Sequence, residues 1–479
     1  MKKLLFIILV SSLAVSAVAA PEPLELENRG IEAMAAGDYA RAEEIFRDLI
    51  ELRPESFVGH YNLGAALSMR GEADASIKAM STALALGFTD KAQLLRDPDL
   101  ETFRGTDFFG QLMSQWGELI EARRQGDLDT VRPLIKETLE SRTDEDLRLE
   151  LLSAHDETAT DQAHAELSML ADWAVGEVFT GLADHPLDDL PWIMVVLPDR
   201  TGFMSWAVTV FGPGVQGSIS SVGGAYEHQQ RRLVAQDLGA TLRHEFIHVL
   251  HWRDMNRLGQ AHAPWVQEGL ASLVEDYDTE GDDPVPVPSW RTNIVKRMLD
   301  VHRLPRIEEL AVIEMQSFTA KRPLAQYAQA RTIMLYLLER GLLDDFYARY
   351  TANYDDDPSG YDSLLAVLDY EPEELEQAYR AWIAELVTVA ETGSDLTATL
   401  GIEIENGTDG VAVTGLPGNA RSRTGLRLGS VITHIEGRPT RDLFEFIRVL
   451  GQYGPGDTVT LHHRRGRVHS SSEVELLAR

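Results

Sequence analysis

The chain has 479 residues, of which 44% are hydrophobic and 25% charged, the composition of folded soluble protein at a length that exceeds one ordinary core. Two to four domains are therefore expected. A formal charge of −32 argues against nucleic acid or an anionic membrane as the main partner, and the absence of cysteine excludes disulfides and a lipid-accepting cysteine behind a leader.

Residues 1–19 read as a secretory signal peptide. Lys2 and Lys3 precede the apolar run Leu4–Val10, and small residues including Ala17-Val18-Ala19 follow. That run is short for a membrane span, Pro21, Glu22 and Pro23 come directly after it, and no later segment is apolar enough to cross a bilayer. An exported, disulfide-free chain of this size is expected in a bacterial periplasm or secreted from the cell.

Residues 24–118 are expected to be all-α. Gly30, Gly37 and Phe46 recur 34 residues on as Gly64, Gly71 and Met80, with Ala42 answered by Ser76 and Leu49 by Ala83. The period, Asn62-Leu63-Gly64 and the placement of Pro54 resemble tetratricopeptide repeats. The resemblance implies paired helices that bind protein partners, with Leu95–Met113 supplying the cap of a short array.

Residues 119–390 are expected to form an α+β domain. The spacing predicts a strand around Leu147–Leu152, a long helix over Thr160–Leu182 and a buried strand at Trp192–Leu197. Ala207–Phe211, the glycine-rich Gly212–Gly224 and Arg232–Ala235 read as strands and loops that lead to a helix near Ala240. Helices dominate from there to about Leu386, with a turn at Asp355–Pro358 and a linker at Gly393-Ser394.

The chemistry is concentrated in His244-Glu245-Phe246-Ile247-His248, inside the apolar stretch Leu242–Leu250. Two histidines four apart share one face of a helix, so both imidazoles reach one ion, and Glu245 emerges beside them to meet a water. A catalytic zinc site takes three protein ligands and one open position, and Glu268, at the start of a second apolar helix, supplies the third. With Trp265-Val266-Gln267-Glu268-Gly269 following the first motif, this region resembles the gluzincin, peptidase-MA-like zinc metallopeptidases. The resemblance implies a zincin-like fold, a Zn²⁺ cofactor held by His244, His248 and Glu268, Glu245 as general base, and hydrolysis of protein or peptide substrates. It further implies a transition-state role for Tyr327, with a core-anchoring tyrosine as the alternative, and a substrate strand along Gly223–Tyr226, touching Gly224 and Tyr226. His251 and His262 are expected to be structural, and Trp252 and Trp265 to be core or pocket-wall residues. Glu275 reads as a solvated glutamate, with orientation of a histidine as the alternative.

From Leu396 onward 10 Arg face 9 Asp and Glu, so the acidity lies upstream and a separate module is expected over residues 396–479. Leu400-Gly401-Ile402, Gly425-Leu426-Arg427-Leu428-Gly429 and Pro455-Gly456-Asp457 resemble a PDZ domain of the bacterial protease-associated kind, apart from Ser430 where Asp is usual. That resemblance implies a small mainly-β fold in which the amides of Leu400, Gly401 and Ile402 hold a peptide's C-terminal carboxylate and Ile402, Phe446 and Leu450 line the side-chain pocket. The basic run His462, His463, Arg464, Arg465 and Arg467 reads as a solvated hairpin. The expected whole is an exported zinc peptidase with two binding modules, and the alternative is an envelope scaffold whose zinc site is not catalytic.

Overall fold

In a computed structural model of the chain, the described residues are 22–134, 139–185, 190–211, 224–227, 231–280, 283–407 and 409–479. The expected leader, residues 1–19, and the glycine-rich stretch 212–223 lie outside them.

The chain opens with two helical hairpins, Glu22–Ala35 with Tyr39–Leu52 and Phe57–Met69 with Ala73–Ala85. Their repeat has a steric cause. A Cβ on Gly30 would stand 2.3 Å from the Phe46 ring, and one on Gly64 would stand 2.6 Å from Met80 Sδ, so each hairpin closes on the same small-to-large contact. Gly37 and Gly71 turn each pair at φ +76° and +77°, a conformation that glycine adopts without strain.

The centre is a five-stranded sheet of β1 (Glu140–Asp144), β2 (Leu149–Ser153), β3 (Ile193–Leu197), β4 (Gly224–Glu227) and β5 (Arg232–Ala235), in the order β1-β2-β3-β5-β4. β3 runs parallel to both β2 and β5, while β1 and β4 are antiparallel edges. Both faces of the middle strands are covered, which explains their unbroken apolar sequences. Leu151, Ile193, Val195, Leu197 and Leu233 face a core shared with the helices Glu157–Glu177 and Ala240–Leu258. The alternate residues Leu152, Met194, Val196 and Val234 face a second core shared with the N-terminal hairpins. The hairpins are thus one layer of the sheet's packing, and the helix Trp116–Leu134 runs through the boundary expected at residues 118 and 119.

Two local expectations change. Ala207–Phe211 lies in a helix, Arg200–Phe211, whose apolar residues Phe203, Trp206 and Ala207 pack against the sheet, so its β-branched residues yield to tertiary packing. The long helix runs over Glu157–Glu177, started by the Asp156 side chain accepting from the Ala159 N–H, and Thr180–Leu182 is a separate 3₁₀ turn.

The C-terminal module has its own core, with Leu400, Val411, Val413, Leu426, Ile432, Ile435, Val459 and Leu461 among its members. Its larger sheet ends at the strand Glu403–Asn406, which lies at one edge, and the module's longer helix is Leu443–Leu450. No helix among the described residues is long and apolar enough to cross a membrane.

Candidate active site

The helix Ala240–Leu258 is anchored before it begins. Asp237 accepts from the Gly239 N–H at 2.9 Å and from the Thr241 hydroxyl at 2.8 Å, and Gly259, at φ +73°, ends the helix in the left-handed conformation. Leu242, Phe246, Ile247, Val249 and Leu250 are buried and fix its rotation. That rotation turns His244 and His248 toward the helix Pro264–Leu273, which carries Glu268. The second helix is held in turn against Pro323–Leu338 by Gly269, whose Cβ would meet the Ala330 carbonyl oxygen at 2.9 Å.

Three side chains converge. His244 Nε2 and His248 Nε2 are 3.1 Å apart, and Glu268 Oε2 is 3.3 Å from each. A tetrahedral zinc ion with arms of about 2.0–2.1 Å needs ligand atoms separated by about 3.3 Å. The three residues form the group of metal-capable side chains among the described residues. His244 Nδ1 lies 2.9 Å from Glu275 Oε1, which leaves the lone pair of a neutral His244 on Nε2, facing the cluster.

Electrostatics point the same way. Burial alone would lower the His244 pKa, but hydrogen bonds to Glu268 and Glu275 outweigh it and raise it to about 10. Burial opposes ionisation of Glu268, yet His248 and His244 hold its carboxyl well below the usual range. Without a metal, the pocket therefore retains a proton to balance its carboxylates. A divalent cation meets the same need on the same donor atoms, so the residues present fit zinc.

Glu245 is beside the cluster. Burial raises its pKa, partly opposed by His244, His248 and a hydrogen bond from the Tyr226 backbone N–H on the edge strand β4. Tyr327, on the helix Pro323–Leu338, reaches the cluster as well: its ring lies 6.2 Å from that of His244, and its hydroxyl is close enough to Glu268 to feel that carboxylate. Burial, then the charges of Glu268 and Glu245, push the phenol pKa well up, so Tyr327 stays a proton donor.

The remaining expectations are met unevenly. Gly224 and Tyr226 lie on the edge strand nearest the site, but the smallness of Gly224 serves packing: a Cβ there would stand 2.7 Å from Thr241 Cγ2 and 2.8 Å from the Val234 carbonyl oxygen. The Tyr226 side chain is buried and 6.3 Å from the Trp252 ring, so only its backbone faces the site. His251 and His262 bind each other at 2.7 Å in an aromatic nest with Phe179 and Tyr347. Trp265 is fully buried, in the core.

Glu275 is buried, not solvated. Besides His244, its carboxylate holds Arg291, with Nη2 at 2.7 Å from Oε1 and Nε on Oε2. Arg243, next to the first histidine, is also buried and donates to the carbonyls of Val274 at 3.0 Å and Glu275 at 2.5 Å. The sequence signal for it is the one arginine of the apolar stretch Leu242–Leu250, which implies a buried counter-charge.

In the C-terminal module, Leu400 is buried, Gly401 adopts φ +65°, and Ile402 leads into the edge strand. The Gly401 N–H donates to Thr399 Oγ1 at 3.0 Å, so that amide is already bonded within the chain. Phe446 and Leu450 are each 2% exposed and belong to the module's core, which removes them from an open pocket wall. The run from His462 lies on the hairpin Thr458–Arg465 with Val468–Glu475, but it is only partly solvated: His463 is buried against Ser472 and Arg464 pairs with the buried Asp409.

The family model of the PDZ domain matches residues 398–476. These residues are a PDZ domain. A chloroplast protein of Arabidopsis thaliana is 32% identical over 92 residues, 19% of this chain and 28% of that protein, so the chain spans under a third of that relative. A crystal structure of an aminopeptidase N family protein from Idiomarina loihiensis is 13% identical, with coverage of 71% of this chain and 67% of that one and a TM-score of 0.27. At so low a score, the reading of the catalytic site rests on its own residues. The PDZ domain docks on the rest of the chain through its helix Leu443–Leu450, where Arg448 pairs with Asp278 at 3.0 Å.

Proposed function

We propose that the chain is an exported zinc-dependent peptidase of gluzincin type, in which His244, His248 and Glu268 hold the metal. The observation that carries the reading is the convergence of three ligand atoms, each about one tetrahedral edge from the others, beside a buried carboxylate that is not a ligand.

When bound there, zinc supplies a Lewis acid that polarises the scissile carbonyl and acidifies the attacking water. Glu245 takes the proton from that water and passes it to the leaving amine; its raised pKa suits a base that must also act as an acid. The hydroxyl of Tyr327, kept protonated by its surroundings, donates to the developing oxyanion. β4, which ends the sheet among the described residues, receives the substrate as an added strand, through backbone groups on either side of Tyr226. The PDZ domain and the tetratricopeptide-like hairpins bind protein or peptide partners, the former through the edge strand Glu403–Asn406. A scaffold with a structural zinc site would have no use for Glu245, which favours the enzyme.

Metal analysis of the purified full-length chain tests the site. One zinc per chain is expected, lost on substitution of His244, His248 or Glu268 by Ala. Full occupancy in all three variants contradicts the ligand set.

A further inference from the structure

The helix Leu443–Leu450 of the PDZ domain has three faces with different partners. Phe446, Val449 and Leu450 fill the domain's own core. Leu443 meets the edge strand Glu403–Asn406, its N–H donating to Asn406 Oδ1 at 2.7 Å. The third face, with Glu445 and Arg448 one turn apart and Arg441 just before the helix, is buried against the peptidase region.

What this face touches is the second layer of the zinc site. Glu445 pairs with Arg243, the residue before His244, and Arg243 also binds Glu166 at 3.2 Å. Arg441 pairs with the other oxygen of Glu166, completing two cations and two anions, all nine-tenths buried. Such a group is costly to bury, and removing one member leaves an uncompensated buried charge. Beside it, Phe444 stacks on Trp290 with ring centres 5.7 Å apart, and the next residue, Arg291, clamps the carboxylate that orients His244. Two paths thus run from one PDZ helix to one metal ligand.

We propose that this helix is a positioning element of the metal centre: Glu445 fixes Arg243, and Phe444 backs the Trp290-Arg291 segment, so that His244 is held in its ligand orientation by the PDZ domain. The proposal rests on the zinc-site reading. Outer partners of metal ligands typically change metal affinity by about 10–100-fold. Since Glu445 acts through Arg243, the lower end of that range is expected of it.

The test is competition for zinc against a chelator with the full-length chain. Glu445→Gln is expected to weaken zinc binding about tenfold, and Phe444→Ala, which buries no unpaired charge, by a smaller factor. Val459→Ala, a cavity in the PDZ core away from the interface, should leave zinc affinity as in wild type under conditions where every variant is folded. Equal zinc affinity in wild type, Glu445→Gln and Phe444→Ala would overturn the proposal while leaving the zinc site intact. An equal loss in Val459→Ala would overturn it too, because loosening of the domain would then suffice. Failure of the wild-type chain to bind zinc would overturn the site reading and this inference together.

Discussion

Replacing Glu275 by Gln changes one acceptor oxygen to an amide donor at a point where three N–H donors converge. In the wild type, Oε1 faces His244 Nδ1 at 2.9 Å and Arg291 Nη2 at 2.7 Å, while Oε2 faces Arg291 Nε. The amide can keep its oxygen at the first position only by turning its NH₂ against Nε, which leaves Arg291, 12% exposed in its side chain, short of a counter-charge. Breaking a buried pair of this kind costs about 3–5 kcal/mol. The titration of Glu275 gives a similar figure: burial raises its pKa, but Arg291 and His244 bring it down to about 2 from 4.5, equivalent to about 3 kcal/mol. A depressed folded pKa contributes stability that is present above pH 4.5 and lost as pH falls through about 2. The deficit of Glu275→Gln should therefore shrink as pH falls below 4.5. Urea unfolding of the metal-free chain between about pH 3 and pH 7 measures it, and chelator competition should show zinc affinity reduced about tenfold. Wild-type stability at pH 7 together with wild-type zinc affinity would refute the role assigned to Glu275.

Gly269→Ala places a methyl 2.9 Å from both the Ala330 carbonyl oxygen and Met334 Cγ, so the two helices must part by several tenths of an ångström. A loss of about 1–3 kcal/mol and weaker zinc binding through displaced Glu268 are expected, and an unchanged melting temperature would count against that packing contact. Asp442, with some solvent contact, has its carboxyl raised from 3.8 to about 8 by burial and then by Glu445. The raised pKa favours folding most below pH 3.8, and the wild type loses that advantage as pH rises through about 8, with a slope of at most about 1.4 kcal/mol per pH unit. Asp442→Asn keeps the N-cap acceptor and should remove this slope, gaining on the wild type towards pH 8. Parallel stability curves for the two proteins would contradict it.

The residues that proved legible in the sequence are those whose role is written in local spacing. His244 and His248 share a face because a helix turns every 3.6 residues, and Glu268 is adjacent because its own apolar helix packs back on theirs. The paired glycines at 30 and 64 were visible for the same reason, as one contact used twice. The rest depends on long-range packing. Glu275 sits beyond the end of its helix, and its partners His244 and Arg291 come from an earlier and a later helix. Nothing near Gly224 in sequence announces that Thr241 fills the space beside it, and the open wall expected of Phe446 and Leu450 is closed by the PDZ core. The hairpins looked like a separate domain because their period ends near residue 90, yet Met194, Val196 and Val234 extend the same core into the sheet.

The central claim, that this site hydrolyses peptide bonds with Glu245 as its base, is tested most directly by comparing wild-type and Glu245→Gln full-length chains, each with zinc content measured, on a broad peptide library. An amide cannot accept the water's proton, so the variant is predicted to retain zinc and fold while losing about 10²–10⁴-fold in cleavage rate. Cleavage by the variant at the wild-type rate, or a zinc-loaded wild type that cleaves nothing in the library, would contradict the account.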